Sequence, residues 1–428
     1  MIQSPYQHRL TRRAALRGAS ALVATAILTA CSGAPTPISV PSATIPPSLF
    51  GMHIHRAAST TPWPAAPFAA WRLWDASVTW ADLEPQQGEW HWEVLDHSVA
   101  LAEEHRVESL LPLGVTPTWA SARPTEPSVY QNPGGAAEPR DLNDWRMYVQ
   151  MVATRYRGRI RYYEIWNEPN SKDAYSGTIE GMVALAREAS TILKSVDPTI
   201  TVVSPAATAG QTGPAWLAQY LKSGGGAYAD VIGYHFYVSP QPPEAVVPLI
   251  AGVREVVSQH SAGQKPIWDT EIGWSSNGSL RKVFSSDAEA AAYVARTYLL
   301  HWASGVARCY WYAWDNRGWS SLYMVQPDNR TPTPAANAYA QVQQWLVGAQ
   351  MVACGADRNK NWTCQLTRDA GQRVRILWNP DKTTAYALPA DWQVERQRDL
   401  DGTVRDLTRA KTATIGPLPI LLEMRPTA

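Results

Sequence analysis

Two glutamates that each lie near the end of an apolar stretch are the residues of this sequence best suited to chemistry. Glu168 follows the segment "YYEIW" and stands beside Asn167, and Glu271 lies near the end of "PIWDTEIGW" (266–274). Cleavage of a glycosidic bond needs one acid that protonates the departing oxygen and one carboxylate that meets the positive charge developing on the sugar. The pattern therefore predicts a general acid/base and a nucleophile, provided that the fold brings the two residues together.

The two acids need opposite charge states at one pH. Partial burial and a neighbouring anion raise the pKa of one carboxyl group, and a cationic or hydrogen-bonding partner keeps the other ionised. Arg72 is the candidate cationic partner of Glu271, and Tyr237 is a candidate hydrogen-bond donor to the same carboxylate. Glu164 shares strand parity with Glu168 but sits four residues deeper, so we interpret it as a paired structural acid.

From about residue 48, short apolar segments alternate with amphipathic helical patterns. The strand candidates are 49–55, 70–76, 107–114, 160–168, 200–206, 230–237, 266–274 and 307–314, and helical patterns include 141–156, 179–196, 243–260 and 287–304. Strands separated by helices pair in parallel, so eight such units predict an α/β fold, a (β/α)8 TIM barrel, over residues 48–347. An open doubly wound sheet is the alternative, which the lack of a Gly-rich dinucleotide motif after the first strand disfavours.

After Val347 the pattern changes to short alternating runs separated by turn residues. We predict a small C-terminal all-β domain, a β-sandwich-like accessory domain, over residues 348–428. Cys354 and Cys364 lie in this region and are candidates for a disulfide across a hairpin in an oxidising compartment. Cys309 lies in an apolar strand and is predicted to be a buried thiol.

Active sites of such barrels lie at the C-terminal ends of the strands, where this sequence places polar and aromatic residues. Predicted substrate contacts are His55, Arg72, Trp119, Asn167, His235, Tyr237 and Trp314, with Trp314 as the favoured plate for sugar stacking. His53 and His55 could be metal ligands, but neither an HExxH motif nor a close His/Cys/Asp cluster supports a metal. We therefore predict no metal and no cofactor.

The N-terminus predicts export. Residues 1–30 carry four arginines and no acid. The arginines come first, and the uncharged stretch from Ala19 to Ala30 that follows them is too short to span a bilayer as a mature helix. "TRRAALRG" resembles a twin-arginine export signal, and "LTAC" resembles the lipobox of bacterial lipoproteins, which implies lipidation of Cys31. Residues 31–47 are rich in Pro, Ser and Thr and are predicted to form a tether. The net charge of +1 and the lack of a basic stripe argue against nucleic acid as a partner.

Four segments together resemble a known family. "IWNEPN", "IWDTEIGW", "GYHFY" and "WRLWDASVTWADLEPQQGEWHWEVLD" (71–96) resemble the retaining glycoside hydrolases of clan A, especially family 39. The resemblance covers about residues 48–345. It implies that Glu168 is the general acid/base and Glu271 the nucleophile of a double displacement, with carboxyl groups about 5–5.5 Å apart.

These features predict an exported retaining glycoside hydrolase, lipid-anchored to the cell envelope through Cys31. We expect its substrate to be an extracellular or envelope polysaccharide or oligosaccharide. Enzymes of similar sequence that trim biofilm exopolysaccharide make endo-acting cleavage the first expectation. The alternatives are an exo-acting β-xylosidase-like glycosidase and a catalytically silent carbohydrate-binding barrel.

Overall fold

Parallel strands form the centre of the structure, and each of the eight barrel strands begins within two residues of its predicted start. The computed structural model describes residues 38–210, 212–260, 263 and 265–425. Its parallel strands are β1 (Phe50–Met52), β2 (Ala70–Arg72), β3 (Glu108–Leu113), β4 (Tyr162–Ile165), β5 (Thr201–Val203), β6 (Ala207–Thr208), β7 (Ile232–His235), β8 (Ile267–Ile272) and β9 (Val306–Trp311).

Strands β5 and β6 are two halves of one barrel strand, interrupted at 204–206. The sheet runs in the order β5-β4-β3-β2-β1-β9-β8-β7-β6. The N–H of Ser204 donates to the carbonyl of Val231 at 2.9 Å, and Val203 pairs in parallel with Val231. This bridge joins the two ends of the sheet, so the predicted (β/α)8 barrel is confirmed and the open-sheet alternative is wrong.

Helices follow the strands, and several of them begin at polar caps. They are α1 (Trp80–Leu83), α2 (Glu93–His105), α3 (Leu142–Arg155), α4 (Ile179–Val196), α5 (Gly213–Lys222), α6 (Val246–Ser258), α7 (Asp287–Ala303) and α8 (Pro334–Leu346). Short 3-10 helices span Pro47–Leu49, Gly225–Tyr228, Pro243–Ala245, Gly278–Leu280, Asp369–Gly371 and Ala390–Trp392. The side chains of Thr178, Ser286 and Thr333 accept backbone N–H groups in the first turns of α4, α7 and α8, as N-caps do.

At the N-terminal end of the barrel, a buried cation closes the interior. Arg308 on β9 lies 4.3 Å from the ring centre of Tyr162 and 4.2 Å from that of Trp268, and it pairs with Glu108. The aromatic faces and the carboxylate stabilise this guanidinium. The opposite end of the barrel, where the strands finish, carries the polar residues singled out by the sequence.

The C-terminal region is all β, as predicted. Its strands are β10 (Gln350–Ala356), β11 (Trp362–Thr367), β12 (Arg373–Trp378), β13 (Thr384–Ala387), β14 (Val394–Arg398), β15 (Val404–Asp406), β16 (Thr412–Ile415) and β17 (Ile420–Met424). Six of them form one sheet in the order β10-β11-β12-β17-β14-β15, and β13 pairs with β16. Cys354 and Cys364 face each other across β10 and β11 and form the predicted disulfide, and Cys309 is a free buried thiol, also as predicted.

The predicted tether ends earlier than expected. The signal peptide, Cys31 and residues up to 37 lie outside the described residues. Within 38–47, however, the N–H groups of Ile38 and Ile45 donate to the carbonyls of Cys354 and Ala349, and Ile45 is fully buried. The burial of Ile45 outweighs the surrounding Pro and Ser, so this stretch packs along β10.

Of the helices in the described ranges, none is both long enough and apolar enough to cross a membrane.

Candidate active site

The end of β4 presents Glu168 through a strained backbone. Trp166 and Glu168 have φ angles of 67° and 48°, a left-handed conformation that costs a non-glycine residue about 1–2 kcal/mol. Neighbouring strands hold the turn, because Trp166 N–H donates to Leu113 at 2.8 Å and Glu168 N–H donates to Ala206 at 2.9 Å. The fixed turn points the Glu168 side chain towards β7, where its Oε1 lies 3.0 Å from Nδ1 of His235.

Glu271 on β8 is held from two sides. Its Oε2 accepts from Nη1 of Arg72 at 2.8 Å, and its Oε1 accepts from the hydroxyl of Tyr237 at 2.9 Å. Both contacts match the sequence predictions. Arg72 also donates to both oxygens of Glu164, at 2.6 and 3.0 Å, so Glu164 is the paired structural acid that was expected. Asn167 accepts a fourth hydrogen bond from this guanidinium, at 2.7 Å.

The fold brings the two candidate catalytic acids together. One carboxylate oxygen of Glu168, one of Glu271 and a ring nitrogen of His235 all lie within 4.8 Å of one another. Retaining glycosidases place their two carboxyl groups about 5–5.5 Å apart, whereas inverting enzymes leave about 6.5–9.5 Å for a water molecule. The spacing matches the retaining geometry.

Burial and charge act on this trio in different directions. Burial raises the pKa of Glu271 to about 7, with further increases from Glu168 and Asp75 and decreases from His235 and Arg72. Burial also raises the pKa of Glu168, but the hydrogen bond and charge of His235 outweigh it, and that pKa is lowered. Burial lowers the pKa of His235, but the charge of Glu271 and the hydrogen bond to Glu168 leave it raised.

These directions differ from the sequence prediction for the free protein. The sequence predicts a protonated Glu168 and an ionised Glu271, whereas in the free site His235 holds a proton in preference to Glu168, and Glu271 is ionised only above about pH 7. The cause is His235, which the sequence analysis placed near the substrate and the structure places against Glu168 at 3.0 Å. Protons of such interacting groups belong to the group as a whole, so the trio titrates as one unit.

Several predicted substrate contacts lie at this site. His235 and Tyr237 touch the two acids directly. Asn167 offers its side-chain amide N–H groups, because its Oδ1 is occupied by Arg72. His55 lies beside the ring of Tyr312, with centroids 5.0 Å apart, and burial lowers the pKa of its imidazole.

Three predicted contacts do not face the site. Arg72 has no exposed surface and donates to protein groups, so it positions Glu271 and cannot reach substrate. Trp119 is half-buried, and its side chain contacts Trp80 and donates from Nε1 to the carbonyl of Glu84 rather than to either acid. Trp314 is 1% exposed, so its ring offers no free face for sugar stacking.

The sequence analysis missed one aromatic residue at this end of the barrel. Tyr312 lies two positions before Trp314 and contacts His53, His55 and Trp319 through its ring. The preference for Trp over Tyr as a sugar-binding ring misdirected the prediction. A signal did exist in the sequence, because "YWYAW" places Tyr312 at the end of the last barrel strand.

His53 is buried and remains neutral. Its Nε2 lies 3.0 Å from the carbonyl of Thr270 and must therefore donate the proton there, which leaves Nδ1 as an acceptor. Burial, followed by the charge of Arg72, lowers its pKa well below the ordinary imidazole value.

In the described part of the chain there are two groups of potential metal ligands, and the ligand atoms within each group lie close together. They are Glu168, His235 and Glu271, and the buried set Asp269, His301 and Cys309. Within each group a histidine already makes a hydrogen bond to a carboxylate, at 3.0 Å for His235 with Glu168 and 2.7 Å for His301 with Asp269. We assign no metal to either group.

Comparison with known families decides the class of protein. The model of glycosyl hydrolases family 39 matches residues 75–316, more than half of the chain and most of the barrel. The chain belongs to glycosyl hydrolase family 39. The matched range contains both Glu168 and Glu271.

Relatives of this family 39 member include a protein named beta-xylosidase from Caldicellulosiruptor saccharolyticus. The two are 24% identical over 196 residues, which is 40% of this chain and 38% of that protein, so the chain matches well under half of its relative's length.

Solved structures share the fold. A family 39 glycoside hydrolase from Bacteroides cellulosilyticus WH2 superposes with a TM-score of 0.69 at 22% identity, over 89% of this chain and 81% of that one. A family 39 beta-xylosidase from Caulobacter crescentus superposes with a TM-score of 0.64 at 16% identity, over 90% and 98% of the two chains. At this level of identity the similarity describes the architecture.

Proposed function

We propose that this enzyme hydrolyses the glycosidic bonds of an extracellular or envelope polysaccharide by double displacement, with Glu271 as nucleophile and Glu168 as general acid/base. One observation carries the assignment of roles. Oxygens of the two carboxylates lie within 4.8 Å of each other, and only Glu271 is held by both a guanidinium and a phenol. That pair of donors stabilises the ionised form that a nucleophile needs.

In the first step Glu271 attacks the anomeric carbon and Glu168 protonates the leaving oxygen. The proton has a defined source. A protonated His235 beside two ionised glutamates holds the same number of protons as a neutral His235 beside a protonated Glu168. Transfer along the 3.0 Å contact between Nδ1 and Oε1 converts the first state into the second.

In the second step Glu168, now ionised, removes a proton from water, and the water oxygen releases the sugar from Glu271. The ester on Glu271 carries no charge, so the pKa of Glu168 should fall further at this stage. A less basic Glu168 can still act as the base, because the water that it activates would react from within the complex rather than from bulk solvent.

The test is covalent labelling. A 2-deoxy-2-fluoro glycosyl fluoride slows the second step and traps the glycosyl-enzyme, whose labelled peptide is found by mass spectrometry. We expect the label on Glu271 and product sugar with the starting anomeric configuration by NMR. A label on another residue would contradict the role assignment. Binding of sugar without hydrolysis, in both wild type and Glu271→Ala, would instead support a silent binding barrel.

The substrate class and location rest on the N-terminal sequence. The twin-arginine motif and the lipobox support export and a lipid anchor at Cys31, with only residues 32–37 between that cysteine and the described residues. An anchored enzyme would work next to the cell's own exopolysaccharide, as a biofilm-trimming endoglycosidase. Metabolic labelling with a palmitate analogue, lost in Cys31→Ala, would test the anchor.

A second candidate is an exo-acting β-xylosidase-like activity. It is favoured by the names of two relatives, one matched in sequence and one in fold, that are called beta-xylosidase. The two activities differ in their products. Rapid loss of polymer length with little monosaccharide would support endo cleavage of exopolysaccharide, and release of xylose from aryl xylosides and xylo-oligosaccharides would support the alternative.

A further inference from the structure

Asp75 is a third carboxylate at the catalytic end of the barrel, and the mechanism above does not use it. It follows β2 with a φ angle of 54°, a left-handed conformation that Asp tolerates better than most residues but that still costs free energy. Its side chain is exposed. A backbone held in this conformation at the catalytic end of the barrel indicates a function for the side chain it presents.

One oxygen of Asp75 is already occupied. Its Oδ2 accepts from the hydroxyl of Tyr312 at 2.5 Å, and that hydroxyl accepts from Nδ2 of Asn316 at 2.9 Å. Burial, followed by the charge of Asp75, raises the pKa of Tyr312, so the phenol remains a donor. The ring of Tyr312 also packs against His55 at the catalytic end of the barrel, with ring centres 5.0 Å apart.

The second oxygen of Asp75 is free. Across the described ranges of the chain, Oδ1 accepts no hydrogen bond, and no Lys, Arg or His forms an ion pair with this carboxylate. An ionised carboxylate has about four acceptor positions. Asp75 therefore offers unused acceptor capacity in a place where a sugar would present hydroxyl groups.

The charge of Asp75 reaches the reacting groups. It is among the causes that raise the pKa of Glu271, and it acts in the same way on Tyr130, which also experiences Glu168. Three acids, Glu164, Glu168 and Glu271, pair with Arg72 or His235, and Asp75 adds a fourth negative charge that acts on Glu271. The site thus carries an excess of negative charge, which disfavours a substrate with a carboxylate of its own.

We propose that Asp75 is a specificity-determining residue that binds uncharged sugars through Oδ1 and excludes uronic acids through its charge. Tyr312 and Asn316 hold the carboxylate in place for this task. The inference rests on the proposed function, because it assumes that the sugar binds across Glu168 and Glu271. It adds a substrate class, neutral hydroxyl-bearing sugar units, to the reaction.

The experiment compares two 4-nitrophenyl β-glycosides that differ only at C6, the glucoside and the glucuronide, together with the xyloside. Asp75→Asn keeps the size of the side chain and removes the charge. We expect kcat/KM for the glucoside and xyloside to fall about tenfold to a hundredfold, the range for a hydrogen bond to a charged group. We expect the ratio of glucuronide to glucoside activity to rise at least about tenfold.

Two variants separate this role from a structural one. Tyr312→Phe removes the phenol but keeps the Asp75 charge, so its glucuronide-to-glucoside ratio should stay near the wild-type value. If Asp75 only holds Tyr312, both variants would change activity alike and neither would change the ratio. Asp391→Asn makes the same chemical change on the exposed surface of the C-terminal region and should match wild type.

The outcomes distinguish the two proposals. If the wild type is active and the glucuronide-to-glucoside ratio of both Asp75→Asn and Asp75→Ala stays at the wild-type value, the role of Asp75 is overturned. The glycosidase mechanism would still stand. A folded wild type that hydrolyses none of the three glycosides and none of a panel of exopolysaccharides would overturn both. Thermal unfolding of each variant shows whether a lost activity reflects lost structure.

Discussion

At the scale of single residues, the reactivity of Glu168 and Glu271 depends on their neighbours more than on their own type. Both are glutamates at one rim, but the half-buried Glu168 faces an imidazole and the buried Glu271 faces a guanidinium and a phenol. Identical side chains thus receive different proton affinities from different partners.

Removal of either acid tests the division of labour. We expect Glu271→Ala to lower kcat about ten-thousandfold or more on every substrate, because no nucleophile remains. Glu168→Ala should lower kcat about 10²- to 10⁴-fold for substrates with poor leaving groups and less for activated aryl glycosides, which need no proton. Added azide should restore part of the rate of Glu168→Ala by attacking the glycosyl-enzyme.

The matched control is Glu104→Ala, which truncates an exposed glutamate on α2 and should leave kcat unchanged. Equal losses in Glu168→Ala for activated and poor leaving groups would contradict an acid role for Glu168.

The pH dependence follows from the charges around Glu271. The nucleophile must be ionised, so activity should be lost as pH falls through about 7, the raised pKa of Glu271. Tyr237→Phe removes a donor that stabilises the ionised carboxylate, so it should raise this pKa and move the acidic limb of kcat/KM to higher pH. Asp75→Asn removes a nearby negative charge and should move the same limb to lower pH.

Tyr386→Phe, a change of the same kind on β13 of the C-terminal region, is the control and should leave the acidic limb in place. A Tyr237→Phe profile that superposes on wild type would mean that the 2.9 Å contact with Glu271 has no effect on its ionisation.

At the scale of elements, Arg72 ties three barrel strands together. From β2 it pairs with Glu164 on β4 and with Glu271 on β8, and both Arg72 and Glu164 have fully buried side chains. Burial would lower the pKa of Arg72, but the two carboxylates raise it. Removing one partner of such a pair leaves a buried charge with too few ligands, which is costlier than losing a surface ion pair.

We therefore expect Glu164→Ala to lower the free energy of unfolding by about 3–5 kcal/mol, measured by denaturant titration. Glu103→Ala is the control. Glu103 pairs with Arg159, and their side chains are 47% and 38% exposed, so this ion pair should contribute only about 0–1 kcal/mol to the free energy of unfolding. Equal effects of the two substitutions would show that the Arg72 cluster contributes nothing beyond an ordinary salt bridge.

At the scale of the whole molecule, the C-terminal sheet packs against the barrel and against residues 38–47, which precede the barrel. Trp378 donates from Nε1 to Glu244 at 2.8 Å, and Ile38 donates to the carbonyl of Cys354. The disulfide of Cys354 therefore lies where the first described residues meet the sheet. It joins β10 to β11 at this junction.

We expect Cys354→Ala/Cys364→Ala to lower the stability of the protein by about 2–3 kcal/mol, seen as a lower Tm, while kcat at 25 °C stays near wild type. A reductant should lower the Tm of wild type and leave that of the double variant unchanged. A wild-type Tm that does not respond to full reduction would contradict a stabilising role for the bridge.

Much of the architecture could be read from local patterns. Short apolar runs, amphipathic helices and polar caps are properties of neighbouring residues, and they located all eight barrel strands and helices such as α4 and α7. The structural role of Glu164 was predicted from its position four residues deeper than Glu168, whereas its partner Arg72 was not predicted. The packing of 38–47 was not predicted either, because composition does not record which distant strand edge is available.

The sequence by itself determined the barrel, the C-terminal sheet and the two acids at strand ends, because periodicity and motif are encoded along the chain. Only the tertiary structure decided which side chains surround those acids. Trp314 turns into the core and Tyr312 turns to the site, although both lie at one strand end. Orientation and proton affinity depend on contacts between residues far apart in sequence, such as His235 with Glu168, and those contacts exist only once the barrel has closed.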